Sequence, residues 1–357
     1  MTPRYRTPAL PPRRGSAGFT LVELLVSLAV TAVLILGVLA TFDFSSRMNR
    51  VQMNVADMQQ SLRIAQNEMV KVARMAGRGG LPANFAVGVT NNVASGTKVI
   101  ASAASTEVLE GTDIVTLRGV FESSLYQIDY LDPSMWGTPD AGGNGEVIVL
   151  DHAAGVPQDL DALEKALKDA VNAGRDETLL LVTPFDTYAV VTVRSTPSKE
   201  DDFKGTFDAL HVFFKSNLYD AALGGLPAAG LPAVAYVGIL EEHKFYIRKN
   251  GSGDSPMLAR TRMLPGSGLA YDDAFLDIAD DILDLQAVRG TGAAGSPELR
   301  LSTLARTNRR DPGKYLAPLL PATIEDHAYP TNHRFNSASQ RQFRWRLVRT
   351  DLDLRNI

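Results

Sequence analysis

Apolar residues fill one early stretch of the chain and then recur at a helical spacing. Residues 24–42 contain no charged side chain, and from residue 19 to residue 76 there is no proline and a single glycine, Gly37. This pattern predicts one continuous helix of about 85 Å, at about 1.5 Å per residue. Its first part, residues 19–42, is long and apolar enough to span the hydrocarbon core of a membrane.

The second part of the predicted helix is amphipathic. Its apolar residues step by three or four positions along one face, with polar residues between them: Val51, Val55, Met58, Leu62, Ala65, Met69, Val72 and Ala76. Because this stripe is poor in leucine and ends in a glycine-rich segment, we expect it to pack against a sheet of the same chain; a coiled coil is the alternative. We expect Gly77 to cap the end of the helix.

After residue 80 short apolar runs alternate with clusters of Gly, Pro, Asn and Asp, which predicts strands. The predicted strands are residues 98–101, 113–120, 125–131, 146–150, 178–183, 188–194, 210–215, 234–240, 244–248, 257–263, 299–304 and 343–354. One internal helix is predicted at 161–171, and long loops at 132–145 and 221–232. The fold class is therefore α+β, with a long N-terminal helix packed on a mostly antiparallel, β-rich C-terminal domain.

The composition narrows the kinds of chemistry available. The chain has 357 residues, a net charge of −4 and no cysteine. The absence of cysteine excludes disulfides, zinc–thiolate sites, iron–sulfur clusters and cysteine nucleophiles. Residues 1–18 hold four arginines and no carboxylate, so the remainder is more acidic than the whole. This balance argues against a protein built around nucleic acid.

The residues that join the basic start to the apolar helix carry the most specific signal. They read GFTLVE at positions 18–23, after a leader that contains Arg4, Arg6, Arg13 and Arg14. This arrangement resembles the class III signal of type IV pilins and of type II secretion pseudopilins. The resemblance implies that prepilin peptidase cuts between Gly18 and Phe19 and methylates the new N-terminus at Phe19. An ordinary secretory signal or signal anchor explains the length of the apolar run but not the glutamate at its head.

Glu23 is the residue that the resemblance singles out for subunit assembly. A carboxylate within an apolar span is costly, so it marks a functional position. Its alternative role is that of a side chain that reaches back to the membrane surface. The resemblance implies that Glu23 of one subunit meets the Phe19 amine of the next subunit in a staggered stack, which favours one axial register.

Weaker similarities extend to the last third of the chain. The acidic and apolar segment 277–286 is similar to a segment in PilW-type minor pilins and the related pseudopilin J, and so are the arginine-rich residues 343–350 and the Leu-Arg-Asn sequence at 354–356. The resulting division is a cleaved leader at 1–18, an N-terminal helix at 19–80 with its transmembrane part at 19–42, and an exported pilin domain at 81–357. Residues 85–265 carry no assignable signature.

The expected function is that of a minor pilin, a structural and assembly subunit of a type IV pilus. Alternatives are a minor pseudopilin of a type II secretion system and a pilus-tip module for adhesion or DNA uptake. The implied partners are prepilin peptidase, other major and minor pilins, the inner membrane and a tip adhesin. The leader arginines favour a single-pass inner-membrane protein with an exported C-terminal domain, later incorporated into a pilus or pseudopilus.

Other candidate chemistry has simpler structural explanations. The acidic cluster Asp272, Asp273, Asp277, Asp280, Asp281 and Asp284 offers oxygen ligands for calcium, but its spacing fits no EF-hand loop, which favours a solvated acidic face.

In segment 341–349, arginines alternate with aromatic residues, as in some single-strand DNA sites. Strand alternation explains this too, with Phe343, Trp345 and Leu347 packed inward and Arg344 and Arg346 on the other face. The histidines do not have the spacing of metal ligands, and the sequence contains no phosphate-binding loop or nucleophile motif. We therefore expect neither enzymatic activity nor a bound cofactor or metal.

Overall fold

The computed structural model describes residues 18–136, 144–184, 187–216, 233–249, 255–265, 269–291, 296–311 and 315–354. Three α-helices lie within these ranges: α1 (Leu21–Met75), α2 (Ala83–Ala86) and α3 (Leu160–Asn172). The strands are β1 (Val87–Thr90), β2 (Ile114–Gly119), β3 (Tyr126–Gln127), β4 (Gly145–Leu150), β5 (His152–Ala153), β6 (Val156–Pro157), β7 (Thr178–Val182), β8 (Tyr188–Val193), β9 (Ser198–Phe203), β10 (Phe207–Ser216), β11 (Tyr236–Ile239), β12 (Glu241–Arg248), β13 (Met257–Met263), β14 (Ala270–Asp280), β15 (Ile282–Thr291), β16 (Pro297–Arg306), β17 (Thr323–Ile324), β18 (His327–Ala328) and β19 (Trp345–Asp353).

The chain forms two compact units that divide within α1. The first unit ends at Met53, and the second runs from Asn54 to the C-terminus. In the first unit, α1 is apolar on all sides, is long and apolar enough to cross a membrane, and leaves its large side chains exposed. This part of α1 confirms the predicted apolar helix.

In the second unit, α1 buries one face, as the stripe predicts. Met58, Leu62, Ala65, Met69 and Val72 are each at most 6% exposed. They share one apolar core with strands of three sheets and thus pack against the chain's own domain. The helix ends at Met75, and Gly77 follows with a φ of +77°, a left-handed conformation that suits glycine at a helix end.

Three main sheets build the domain, and every strand pairing among the described residues is antiparallel. The first has the order β1-β2-β12-β13-β14, and the third has the order β15-β16-β19. Both contribute to the core around α1. The second sheet has the order β3-β11-β7-β8-β10-β4, with β9 paired to β10. The predicted α+β class and antiparallel sheet are confirmed.

The second sheet has a core of its own, which includes α3. Leu163 and Leu167 of α3 pack with residues of β4, β7, β8 and β10. Asp159 precedes the helix, and its side chain accepts a hydrogen bond from Ala162 N at 3.0 Å, which caps the N-terminus. The helix predicted at 161–171 is confirmed, with one further residue at each end.

Some predicted strands differ from the observed ones. Residues 98–101 form an isolated bridge at Lys98, followed by a bend and a turn, instead of a strand. The Thr106 hydroxyl holds this bend through hydrogen bonds with the Ile100 amide and carbonyl at 3.0 and 3.1 Å. The strand predicted at 125–131 is reduced to two residues. Of the two predicted loops, the first contains a short 3-10 turn and lies partly outside the described residues, and 221–232 lies wholly outside them.

Eight of the described strands were not predicted from the sequence: β1, β9, β14 and β15, and the two-residue strands β5, β6, β17 and β18. Strand β9 has the sequence SKEDDF and is almost fully exposed beside β10, so it shows no apolar alternation. Strands β14 and β15 meet at Asp281, whose φ of +55° makes the turn that passes the chain from the first sheet to the third. A non-glycine residue in this conformation gives little sequence signal.

Candidate functional site

The N-terminus of α1 is closed by a reciprocal set of hydrogen bonds between Thr20 and Glu23. The Thr20 backbone amide and hydroxyl both donate to Glu23 Oε2 at 3.0 Å, and the Glu23 amide donates to the Thr20 hydroxyl at 3.2 Å. Thr20 O accepts the first helical bond, from Leu24 N. This is a capping box, in which a threonine and a glutamate three residues later satisfy helix amides that would otherwise lack partners.

Thr20 is a functional residue that the sequence reasoning missed. The Thr-x-x-Glu spacing ahead of an apolar run is a visible signal for a capping box. From the sequence, Glu23 was expected to contact the next subunit or to reach back to the membrane surface. The structure gives it a role within one chain as well, because it fixes where the helix begins.

The hydrogen bonds that the Glu23 side chain accepts among the described residues both use one carboxylate oxygen, Oε2. This side chain lies at the head of an apolar segment, residues 24–42, that carries no charge. A carboxylate in such surroundings is stabilised by further donors or by an opposite charge. The second oxygen, Oε1, is therefore the group that a neighbouring cation would satisfy.

Gly18 and Phe19 precede the helix and are open to approach. Phe19 is 81% exposed, and a Cβ built on Gly18 would meet no atom within 4 Å. The described fold thus places no steric demand for glycine at position 18. A requirement for glycine here would come from a processing enzyme that approaches the backbone closely. Cutting this bond would leave an amine one residue before the cap.

The apolar part of α1 satisfies its own polar groups. Ser27 donates its hydroxyl to Leu24 O at 2.9 Å, Thr31 donates to Ser27 O at 2.7 Å, and Thr41 donates to Gly37 O at 2.9 Å. Such bonds let hydroxyl side chains enter lipid without unsatisfied groups. Within residues 19–42, Glu23 is the single ionisable side chain.

Among the described residues, the acidic side chains in the last third of the chain do not surround a common site. Asp277 forms a bidentate pair with Arg248 at 2.9 and 2.7 Å, and Asp281 lies 3.4 Å from Arg306. Asp284 is 1% exposed and accepts hydrogen bonds from Gln286 and from the Tyr329 hydroxyl. The described residues contain no group of three potential metal ligands.

The prediction of a solvated acidic face is therefore wrong for the last members of the cluster. Asp281 and Asp284 are buried, because they lie at the turn and on the strand that enter the third sheet. Asp280 is exposed as predicted. The side chains of Asp272 and Asp273 lie outside the described residues.

The closing strand, β19, alternates as expected over most of its length. Trp345 and Leu347 pack on a small apolar cluster on one side of the third sheet, and Val348 packs on the core at the other. Arg344 pairs with Asp311 at 2.8 Å, whereas Arg346 is exposed. Phe343 precedes the strand and stacks with Arg306, so its predicted place in the alternation is wrong.

The comparisons with known proteins bear on the N-terminal site. Residues 13–39 match the family model described as the prokaryotic N-terminal methylation motif. No curated protein and no solved structure gives a significant match to the chain.

The matched segment contains the predicted cleavage bond, the capping box and most of the apolar part of α1. With the long helix and the antiparallel domain, the match supports a type IV pilin-like precursor, a structural subunit processed by prepilin peptidase and anchored by its N-terminal helix.

Proposed function

We propose that this chain is a minor pilin of the PilW type. It enters the inner membrane through α1 with its domain exported, is cleaved between Gly18 and Phe19, and is methylated on the Phe19 amine. It then takes its place in a type IV pilus, as part of an initiating complex or at the tip. The observation that carries this proposal is the methylation motif at the start of a capped, apolar helix.

The size and irregularity of the domain favour a minor over a major subunit. Within its described residues, the second unit contains three main sheets and four apolar clusters, the two largest around α1 and around α3. A subunit repeated at every position of a helical filament needs a surface that fits its own copies on several sides. A subunit at a tip makes fewer contacts with its neighbours, so a large, irregular domain is accommodated there more readily.

In the proposed assembly, Glu23 has two partners at once. Its Oε2 stays on Thr20, as in the single chain, and its Oε1 receives the Phe19 amine of a neighbouring subunit. The pairing neutralises two charges within an apolar bundle, where a single charge is costly. A neighbour out of register leaves both unpaired, so the pairing selects one stagger.

Subunit incorporation tests this role of Glu23. Glu23→Val and Glu23→Gln are expected to be made, cleaved and membrane-bound, yet recovered in sheared filaments at less than about one tenth of the wild-type amount, since one buried pair is worth more than about 1.4 kcal/mol. Asp43→Asn is the control, because Asp43 is an exposed acid of the same helix that pairs with Arg47 at 2.6 Å. Wild-type recovery of both Glu23 variants in the filament fraction refutes the pairing.

A minor pseudopilin of a type II secretion system is the alternative within the same class. The two assignments differ in the phenotype that follows loss of the chain. As a minor pilin, its deletion reduces surface filaments; as a pseudopilin, its deletion blocks release of secreted enzymes while surface filaments persist.

A role in DNA uptake at the tip has one supporting feature, the exposed Arg346 beside Trp345 on β19. A basic strand with an aromatic neighbour is a typical element of single-strand DNA sites. The full chain in detergent should then bind a fluorescent oligonucleotide, and Arg346→Ala should weaken this binding. An equal affinity of Arg346→Ala and of the wild type would assign the binding, if any, to another surface.

A further inference from the structure

A polar cavity lies in the second unit, between α3 and the edges of the first and second sheets. Its volume is about 400 Å³, within the range of roughly 300–1,000 Å³ typical of small-molecule sites. The lining comes from the loop after β2, from α3, and from strands β11 to β14. The cavity is remote in sequence from the methylation motif, and the proposed pilin assembly makes no use of it.

The inner wall of this cavity is held rigidly by buried charges. Arg262 of β13 lies 2.9 Å from Glu241 and 4.0 Å from Glu177, both of which are 2% exposed. Glu241 also accepts hydrogen bonds from the amides of Phe121 and Glu122 at 3.0 and 2.8 Å. Burial raises the pKa of both Glu177 and Glu241, and Arg262 opposes this rise.

The ring of Tyr271 contacts two arginine side chains on the same wall. Its hydroxyl donates to Glu177 at 2.9 Å, and its ring centroid lies 3.8 Å from the guanidinium of Arg262 and 4.6 Å from that of Arg175. The contact with the ring is a cation–π interaction. Among the described residues Arg175 forms no ion pair, so its terminal nitrogens are donors available to a bound molecule.

The remaining lining groups are acceptors and hydroxyls at the rim. Asp169 of α3 and Glu122 are exposed carboxylates, and Ser123 and Ser124 add two hydroxyls. Glu122 lies 3.7 Å from Arg262, which leaves Asp169 as a rim carboxylate without an ion pair among the described residues. The cavity thus combines this acceptor with the unpaired guanidinium donor of Arg175.

We propose that this cavity binds a neutral, hydroxyl-rich ligand of the saccharide class. An anion would face the five carboxylates of the lining, and a simple cation would face two guanidiniums, one of them without a carboxylate partner. Hydroxyl groups donate to carboxylates and accept from a guanidinium, so a sugar satisfies both kinds of group and introduces no charge. The buried ion pairs hold the wall in place before the ligand arrives.

The experiment is saturation-transfer NMR on the full-length chain in dodecylphosphocholine micelles, a detergent without a sugar headgroup. The probes are the methyl glycosides of glucose, galactose, mannose and N-acetylglucosamine, with spermidine as the cation and inorganic phosphate as the anion. At least one glycoside is expected to show saturation transfer, while spermidine and phosphate do not compete with it.

Two variants localise the binding. Arg175→Ala removes a side chain that makes no ion pair among the described residues, so it is expected to fold and to weaken glycoside binding at least tenfold. Arg194→Ala is the matched control, because Arg194 is exposed and lies outside the lining. It should bind within twofold of the wild type.

The proposal is overturned if no glycoside shows saturation transfer, if Arg175→Ala binds as tightly as the wild type, or if spermidine or phosphate alone occupies the site. None of these readouts depends on cleavage or on filaments. A failure here leaves the proposed pilin function untouched, and the reverse also holds.

Discussion

At the scale of single residues, His243 shows how burial alone creates a sensitivity to pH. It lies on β12 with 4% of its surface exposed, and its ring meets the edge of Phe121 at 5.0 Å between centroids. Burial, together with the charges of Arg260 and Arg262, lowers the pKa of His243 to about 3. In the folded domain this histidine is therefore neutral well below the pH at which an exposed histidine takes up a proton.

His243 is expected to weaken the domain in acid. Because its pKa is lower in the folded state than in the unfolded state, the unfolded state binds more protons between about pH 6.5 and pH 3, and stability falls as the pH falls through this window. At pH 5 the loss from this residue is about 2 kcal/mol. The free energy of unfolding, measured with urea, should fall less between pH 7 and pH 5 in His243→Phe than in the wild type, by that amount. His152→Phe replaces a half-exposed histidine and should show the same fall as the wild type.

Gly111 tests a close approach between the loop before β2 and β18. Its φ is +80°, and an added Cβ would lie 2.4 Å from Cε1 of the buried His327 ring. Gly96→Ala is the matched control, because Gly96 has a φ of +81° and open space around its Cβ position. Both variants place an alanine at a positive φ and carry the same backbone strain. Because its Cβ also clashes with the His327 ring, Gly111→Ala should lose about 1–3 kcal/mol more in the free energy of unfolding than Gly96→Ala. Equal melting temperatures for the two variants would contradict this contact.

Residue roles can be proposed from the sequence where a short motif carries them. Gly18, Phe19 and Glu23 stand out in the sequence because a basic leader, a glycine and a lone glutamate precede an apolar run. The cap formed by Thr20 was equally readable from its spacing. The cavity around Tyr271 was not, because its residues are separated by more than a hundred positions and meet through the pairing of the sheets.

At the scale of elements, α1 shows two kinds of helical surface in one helix. The periodicity of the sequence predicted this division well, since an apolar stripe and an all-round apolar surface are both local patterns. The strands were less predictable. Strand β9 is charged and exposed, and β14 is rich in aspartate, so both are held by neighbours distant in the sequence more than by their own composition.

The buried stripe of α1 should contribute strongly to the stability of the second unit. Leu62 is 2% exposed in the core shared with strands of the three main sheets, whereas Ile64, two residues later, is 46% exposed. Leu62→Ala is expected to cost about 2–5 kcal/mol in the free energy of unfolding, because it leaves a cavity. Ile64→Ala should cost less than about 1 kcal/mol. Denaturation of the detergent-solubilised chain measures both, and similar costs would show that α1 does not pack as described.

At the scale of the whole molecule, the fold class and the order of its parts were readable from the sequence, whereas the sheet topology was not. The chain enters the third sheet through a turn at Asp281 and completes it with β19, more than sixty residues later. Pairings at such separation depend on the whole fold. The methylation motif depends on a few adjacent residues and is therefore recognisable in isolation.

Processing of the whole chain provides a direct check of the N-terminal assignment. Expressed with an active prepilin peptidase, the protein should lose residues 1–18 and gain one methyl group on Phe19, as seen by intact-mass spectrometry. Gly18→Leu is expected to retain the leader, because the cleavage site no longer admits a close backbone approach. Gly37→Leu is the control, since Gly37 also has open space around it yet lies within the helix. A Gly18→Leu chain that is trimmed normally would remove the basis of the assignment.

The exposed apolar surface in the first part of α1 limits the environments through which the protein can pass. Leu24, Leu28 and Leu34 are each more than half exposed, and each apolar side chain of this kind costs about 1.5–3 kcal/mol in water. Ten of them facing water would outweigh the whole stability of a typical domain, about 5–15 kcal/mol. In the proposed assembly, the helix must therefore pass from lipid directly into the filament without contact with water. On the same proposal, a subunit released from the filament base returns to the bilayer, where it remains available for another round of polymerisation.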